Sequence, residues 1–240
     1  MSMLEVADFG KRFTIHHLNQ TMHAVEHIDF SLERGEFIGI VGKSGSGKST
    51  ILKSIYRTYL PDAGKIIYDS ERFGSIDLSA ATERQMLYLR KYEIGYVSQF
   101  LNVMPRTTSR QLVAQALLEM GESEKAAHIE AEKALMHFEL DSKLWDSYPN
   151  TFSGGEKLRL NIAMATVKKP RLLLLDEPTA SLDHQSKIKV REIIEKLKAN
   201  GTTLVGIFHD IEFMEGLCDK VYDMKARRLV QQQAGVVGES

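Results

Sequence analysis

Between Gly42 and Thr50 the chain reads GKSGSGKST, which fits the spacing G-x-x-x-x-G-K-[S/T] of a phosphate-cradling loop. An apolar strand precedes it and a helix follows, as that chemistry requires. Successive backbone N–H groups in such a loop form a concave anion nest, and the helix N-terminus adds partial positive charge. Gly42, Ser44, Gly45, Ser46, Gly47, Lys48, Ser49 and Thr50 are therefore the candidate phosphate-binding residues. Lys48 is expected to reach the outer phosphates and Ser49 to offer its hydroxyl to Mg2+. A second element, LLLLDEP from Leu172 to Pro178, ends a buried strand in two carboxylates. Asp176 is placed to hold Mg2+. Glu177, projecting differently, can position or deprotonate an attacking water.

Two isolated polar residues follow other buried strands: Gln99 after IGYVS and His209 after LVGIF. The carboxyl ends of strands collect at the ligand crevice of an α/β sheet, so Gln99 could reach Mg2+ and the water, and His209 the terminal phosphate. The stretch PNTFSGGEKLRLNIA, Pro149 to Ala163, opens a helix with the capping box Ser153-x-x-Glu156. Its glycines and helix N-terminus suit an anion, which makes it a second phosphate site in a chain that already has one. Phe13 could lay its ring on adenine, although its residue type alone favours core packing. His16, His17, His23 and His27 match no compact metal-ligand spacing, and Trp145 and Cys218 read as packing residues.

The elements that must position these groups are legible as periodicities. Residues 4 to 41 read as short strands, ending in the buried EFIGIVG. A helix runs from Lys48 to about Tyr59. GKIIYD and RFGSIDL form a strand pair, 80 to 91 a helix, and IGYVSQ a further strand. From 107 to 146 everything is helical, with a capping box at Thr108-x-x-Gln111 and a stop at Gly121. RLLLLD and TTLVGIFH are buried strands. Between them Asp183 caps a helix that ends at Asn200-Gly201. A short helix and terminal strands follow, and the tail QQQAGVVGES reads as frayed.

Of the 240 residues 43% are hydrophobic, and the net charge is −1, which argues against a nucleic-acid binder. The lone Cys218 fits a reducing compartment. No apolar run approaches a membrane span, and the first residues lack a signal-peptide core, so the expected location is cytoplasmic.

In GKSGSGKST, Gln99, FSGGE, LLLLDEP, the SLD of Ser181 to Asp183, and His209, in that order, the chain resembles the ATP-binding-cassette ATPases over nearly its whole length. The resemblance implies ATP and Mg2+ as ligands. It also implies an adenine-stacking role for Phe13 and a head-to-tail dimer, either a homodimer or a mixed pair of cassettes. In that dimer Ser153, Gly154 and Gly155 of one copy close on nucleotide held by Lys48 of the other, and the turn of Ser181 and Asp183 crosses the interface. The second phosphate site then belongs to the neighbour's nucleotide. The runs YLPDAG, VSQFLNVMPR, TFSGGE, LLLLDEPTASLD and VGIFHD more narrowly resemble the L-type cassette subunit of the bacterial phosphonate carbon–phosphorus lyase system. Phe152 stands where most cassettes have Leu, and Phe208 where transporters have Thr. Lys157, Leu158 and Met164 also depart from the general pattern, while Arg159 keeps it.

The expected architecture is a single α/β cassette domain over residues 1–240. A mostly parallel P-loop core sheet is joined by an antiparallel β part, with a helical subdomain at about 100–168 inserted. Catalysis would fall to Glu177 and His209, phosphate binding to Lys48 and its loop, and metal binding to Ser49, Gln99 and Asp176. The narrower resemblance implies an accessory ATPase among soluble lyase-system proteins that make a ribose phosphonate triphosphate. The rivals are the motor of a membrane permease and an ATP-dependent docking switch with little turnover.

Overall fold

In the computed structural model, residues 2–15, 20–101, 103–180, 182–209 and 211–230 are described. Two sheets are built from the expected strands. β1 (Leu4–Ile15), β2 (Gln20–Leu32), β4 (Ala63–Ser70) and β5 (Gly74–Asp77) form an antiparallel sheet in the order β2-β1-β4-β5. β3 (Phe37–Val41), β6 (Ile94–Val97), β7 (Leu172–Asp176), β8 (Thr203–Ile207), β9 (Lys220–Asp223) and β10 (Arg228–Val230) form the second, in the order β10-β9-β3-β8-β7-β6. All its pairings are parallel except β10 on β9.

The core strands are apolar at every position because both faces of the parallel sheet are covered. Leu173, Leu175 and Leu204 point into one cluster with α5 (Gly154–Thr166) and α6 (His184–Ala199). Leu172, Leu174 and Val205 point into the other, with α1 (Lys48–Ile55), α2 (Glu83–Tyr92) and the antiparallel sheet. α3 (Ser109–Leu118) and α4 (Glu124–His137) lie with α5 between β6 and β7 in the chain. α7 (Ile211–Met214) precedes β9. Among the described residues no helix is long and apolar enough to cross a membrane.

Two boundaries differ from expectation. The N-terminal strands are long, at 12 and 13 residues. β1 bends through register shifts between Val6 and Arg12, with Asp8 at φ 47°, so the alternation breaks while the pairing continues. α1 stops at Ile55, short of Tyr59. Arg57 turns left-handed at φ 57°, and its N–H bonds the Ser54 carbonyl at 2.9 Å while that of Thr58 bonds Lys53 at 2.7 Å. This is a Schellman ending built on a non-glycine residue. The tail 231–240 lies outside the described residues.

Candidate functional site

The candidate residues gather at the carboxyl edge of the parallel sheet. The glycine loop leaves β3, Asp176 closes β7, and Gln99 and His209 each lie two residues beyond β6 and β8. Parallel order puts all four strand ends on one edge, which is why separated motifs meet.

Gly47 has φ 89° and precedes α1. A Cβ there would lie 2.6 Å from the Ala24 carbonyl oxygen and 2.3 Å from Val25, so β2 forms the back of the loop and excludes a side chain. Lys48 is buried, and its ammonium donates to the carbonyls of Gly42 at 2.8 Å and Lys43 at 3.0 Å. Burial lowers its pKa, and the carboxylates of Glu177 and Asp176 oppose that shift. The Ser46 hydroxyl is buried without a hydrogen-bond partner. Gly42, Ser44, Gly45 and Thr50 complete the same loop and first turn.

Asp176 is buried, and each of its oxygens accepts a hydrogen bond. Ser49 Oγ donates to Oδ1 at 2.9 Å and Tyr96 Oη to Oδ2 at 2.6 Å. Burial, then the Asp176 carboxylate, holds the Tyr96 phenol far above its ordinary value, so it remains a donor. Glu177 adopts φ 52°, a sparse conformation for a side chain with a Cβ. The turn sends its carboxylate away from that of Asp176. Gln99 Nε2 donates to Oε2 at 3.2 Å, and His209 Nε2 meets Oε1 at 2.8 Å. Gln99 thus contacts Glu177, whereas Asp176 is bonded by Ser49 and Tyr96. The buried Ser46 hydroxyl without a partner, the Lys48 ammonium resting on its own loop, and a hydroxyl–carboxylate pair beside it form a donor set that fits the phosphates of ATP and Mg2+.

The other candidates surround this cluster, and Gly154 shares the walls of one cleft with Gln99 and Glu177. Phe13 is half-buried on β1, edge-on to Tyr59 at 5.1 Å, with the Lys11 ammonium 5.4 Å from its ring. Ser153 caps α5 reciprocally with Glu156, as its spacing predicts. Ser153 and Gly154 are exposed. Among the described residues no hydrogen bond or ion pair joins Ser153–Gly155 to the loop of 42–50. Gly155 has a local reason to be glycine, since a Cβ would lie 2.6 Å from Ser186 Oγ. Asp183 caps α6, its Oδ1 accepting the Ser186 N–H at 2.9 Å. That bond is the first cause of its lowered pKa. Ser181, His16 and His17 lie outside the described residues. His23 pairs with Glu26, and His27 with Asp8 at 2.7 Å. Trp145 Nε1 donates to the Leu140 carbonyl, and burial pushes the Cys218 thiol up to about 12.

Sequence reasoning missed Tyr96, Asn161 and Ser186. The first two carried a signal: a hydroxyl in the apolar strand IGYV and an amide on the apolar face of α5. Asn161 Nδ2 donates to the Ser98 carbonyl at 2.9 Å, tying α5 to the residue before Gln99.

Comparison with known proteins gives the same picture. The sequence profile of the ABC transporter family matches residues 25–180. The chain is 31% identical over 231 residues to the methionine import ATP-binding protein MetN 1 of Listeria innocua, covering 96% of this chain and 66% of that protein. It is 31% identical to a putative peptide import ATP-binding protein of Brucella ovis, over 95% of this chain and 71% of the relative. The chain therefore spans about two thirds of the length of the curated relatives it matches. The fold resembles a dimeric post-hydrolysis state of the ATP-binding cassette MJ0796 bound to ADP and Pi, with TM-score 0.87 and 26% identity over 97% of this chain and 100% of that one. It also resembles cbiO1 of Clostridium perfringens, described as part of an ABC transporter complex, with TM-score 0.79 and 28% identity over 95% and 87% of the two chains. The profile spans the phosphate loop, Gln99, the Ser153 helix cap and the Asp176–Glu177 strand end, and the chain belongs to the ABC transporter family of ATP-binding cassettes, which bind ATP with Mg2+.

Proposed function

We propose that the chain binds and hydrolyses Mg-ATP as one half of a cassette dimer and serves as the nucleotide-binding motor of a membrane import system. The observation that carries the ATPase reading is the division of two neighbouring carboxylates between two tasks. Asp176 is bonded to Ser49, and Glu177 to Gln99 and His209. Lys48 turns from its loop carbonyls to the outer phosphates. Ser49 and Asp176, with Gln99, would hold Mg2+, which when bound would neutralise phosphate charge. Glu177 orients the attacking water and accepts its proton, and His209 steadies Glu177 and the terminal phosphate. Ser153, Gly154 and Gly155 act in trans on the partner's nucleotide, with the turn of Ser181 and Asp183 at the interface, and Phe13 stacks on adenine.

The import reading is supported by what the relatives are named for. A groove of about 880 Å³ between α2, β6 and α3, walled by Tyr56, Tyr96, Gln115 and the exposed Met104, would seat a partner's segment under either reading. The narrower phosphonate reading stands second, since the relatives' names give it no support. It rests on the runs YLPDAG, VSQFLNVMPR, TFSGGE, LLLLDEPTASLD and VGIFHD alone.

Glu177→Gln protein should dimerise in Mg-ATP while turnover falls by about 10²–10⁴. Sedimentation and steady-state ATPase assays read both. A variant that stays monomeric with saturating Mg-ATP, alone and beside its partners, would sink the composite site. Recovery of an integral permease on affinity capture supports the importer, and recovery of soluble lyase-system proteins the second reading.

A further inference from the structure

Tyr96 is the third residue of β6 and lies opposite Leu174 of β7 in parallel register. Its strand is thus the immediate neighbour of the one that ends in Asp176. The ring is held against Tyr56, with centroids 5.0 Å apart. Tyr56 is in turn covered by the Arg90 guanidinium, 4.9 Å above its ring, whose Nε donates to the Tyr56 carbonyl at 2.9 Å. The phenol therefore approaches Asp176 from a packed stack of side chains rather than from solvent.

A carboxylate with one free oxygen can rotate about its last torsion and exchange the oxygen it presents. Here Oδ2 is taken by Tyr96 at 2.6 Å, a charge-assisted length, and Oδ1 remains on Ser49. We propose that Tyr96 is a positioning residue for the metal: it locks Oδ2 so that Oδ1 stays turned to the Ser49 hydroxyl, the pair that would hold the divalent cation. This rests on the reading of Ser49 and Asp176 as the metal pair. Outer partners of this kind fix the orientation of a ligating group, and their loss typically weakens metal binding by 10–100-fold.

The test is Mn2+ binding to the protein–ATP complex, followed by electron paramagnetic resonance. Tyr96→Phe keeps the ring and removes only the donor. It should weaken Mn2+ binding about tenfold while ATP affinity in EDTA stays near that of the unaltered protein. Tyr56→Phe, which leaves the bond to Asp176 intact, should shift nothing. Unchanged Mn2+ affinity in Tyr96→Phe, alongside a clear loss in Asp176→Asn and Ser49→Ala, overturns the role of Tyr96 and leaves the metal pair standing. A parallel loss of metal-free ATP binding would mark a merely structural tyrosine and also overturns it. If Asp176→Asn and Ser49→Ala themselves bind Mn2+ normally, the metal pair is wrong and the proposal goes with it.

Discussion

Ser186 Oγ occupies the space a side chain on Gly155 would need. It lies 2.6 Å from the ideal Cβ position and is held there by a 2.7 Å bond to Asp183 Oδ2. The start of the Ser-Gly-Gly helix and the start of the helix after the Ser-Leu-Asp turn are therefore interlocked within one chain. The two segments expected to face a partner thus abut within one chain.

Gly155→Ala tests this interlock. A helix normally gains about 1 kcal/mol from that exchange, but here the methyl meets a pinned hydroxyl and overpacking of this sort costs about 1–3 kcal/mol. A net loss in urea-melt stability is expected, and the same Gly155→Ala exchange made on a Ser186→Gly background should cost little or nothing. Additive effects in the double-mutant cycle would show that the two positions are independent.

Asn161→Ala should loosen Gln99. The substitution strips the Ser98 carbonyl of its amide donor, and the group that loses its partner is part-buried. Leaving such a group unsatisfied costs about 1–3 kcal/mol. The ATPase rate should fall with little change in ATP affinity, because Glu177 loses a steady contact while Lys48 is untouched. A rate equal to that of the unaltered protein would separate α5 from the Gln99 turn.

Phe208→Thr restores the residue type usual in transporters at the cost of a core aromatic. Phe208 is buried with its ring 5.3 Å from that of Phe213 and 5.9 Å from that of Phe37. A loss of about 3–5 kcal/mol is expected by denaturant melting, as for other large-to-small changes of buried aromatics. A loss under about 1 kcal/mol would mean that the site collapses around the gap.

Cys218 supplies a pH prediction. Its thiol is raised from an ordinary 9.0 to about 12, mainly by burial. The folded state therefore keeps a proton that the unfolded chain gives up. The resulting stability is fully present below pH 9.0 and is lost as pH rises toward about 12. Cys218→Ala should reduce the slope of stability against pH in that window. In native protein the thiol should resist iodoacetamide at pH 8, and it should react once guanidinium is added.

The local motifs of the phosphate loop, LLLLDEP and the capped helix at Ser153 were legible because each is short and each residue type answers to one backbone or chemical need. Both capping boxes sought, at Thr108 and Ser153, formed with their own third residues. Strand ends were legible for a similar reason: a fully apolar run that stops in a charge has few places to stand. What the sequence left open were contacts between distant residues. Nothing in IGYV says that Tyr96 reaches Asp176, 80 positions away, because that depends on β6 lying beside β7 in one register. Nor does FSGGE say that Gly155 faces Ser186, which depends on how α5 and α6 cross. Sequence spacing fixed which chemistry the chain carries, since short-range hydrogen bonding and backbone freedom are local. Only the parallel order of β6, β7, β8 and β3 decided which carboxylate meets which donor, since long-range pairing is settled by burying the apolar faces of the sheet all at once.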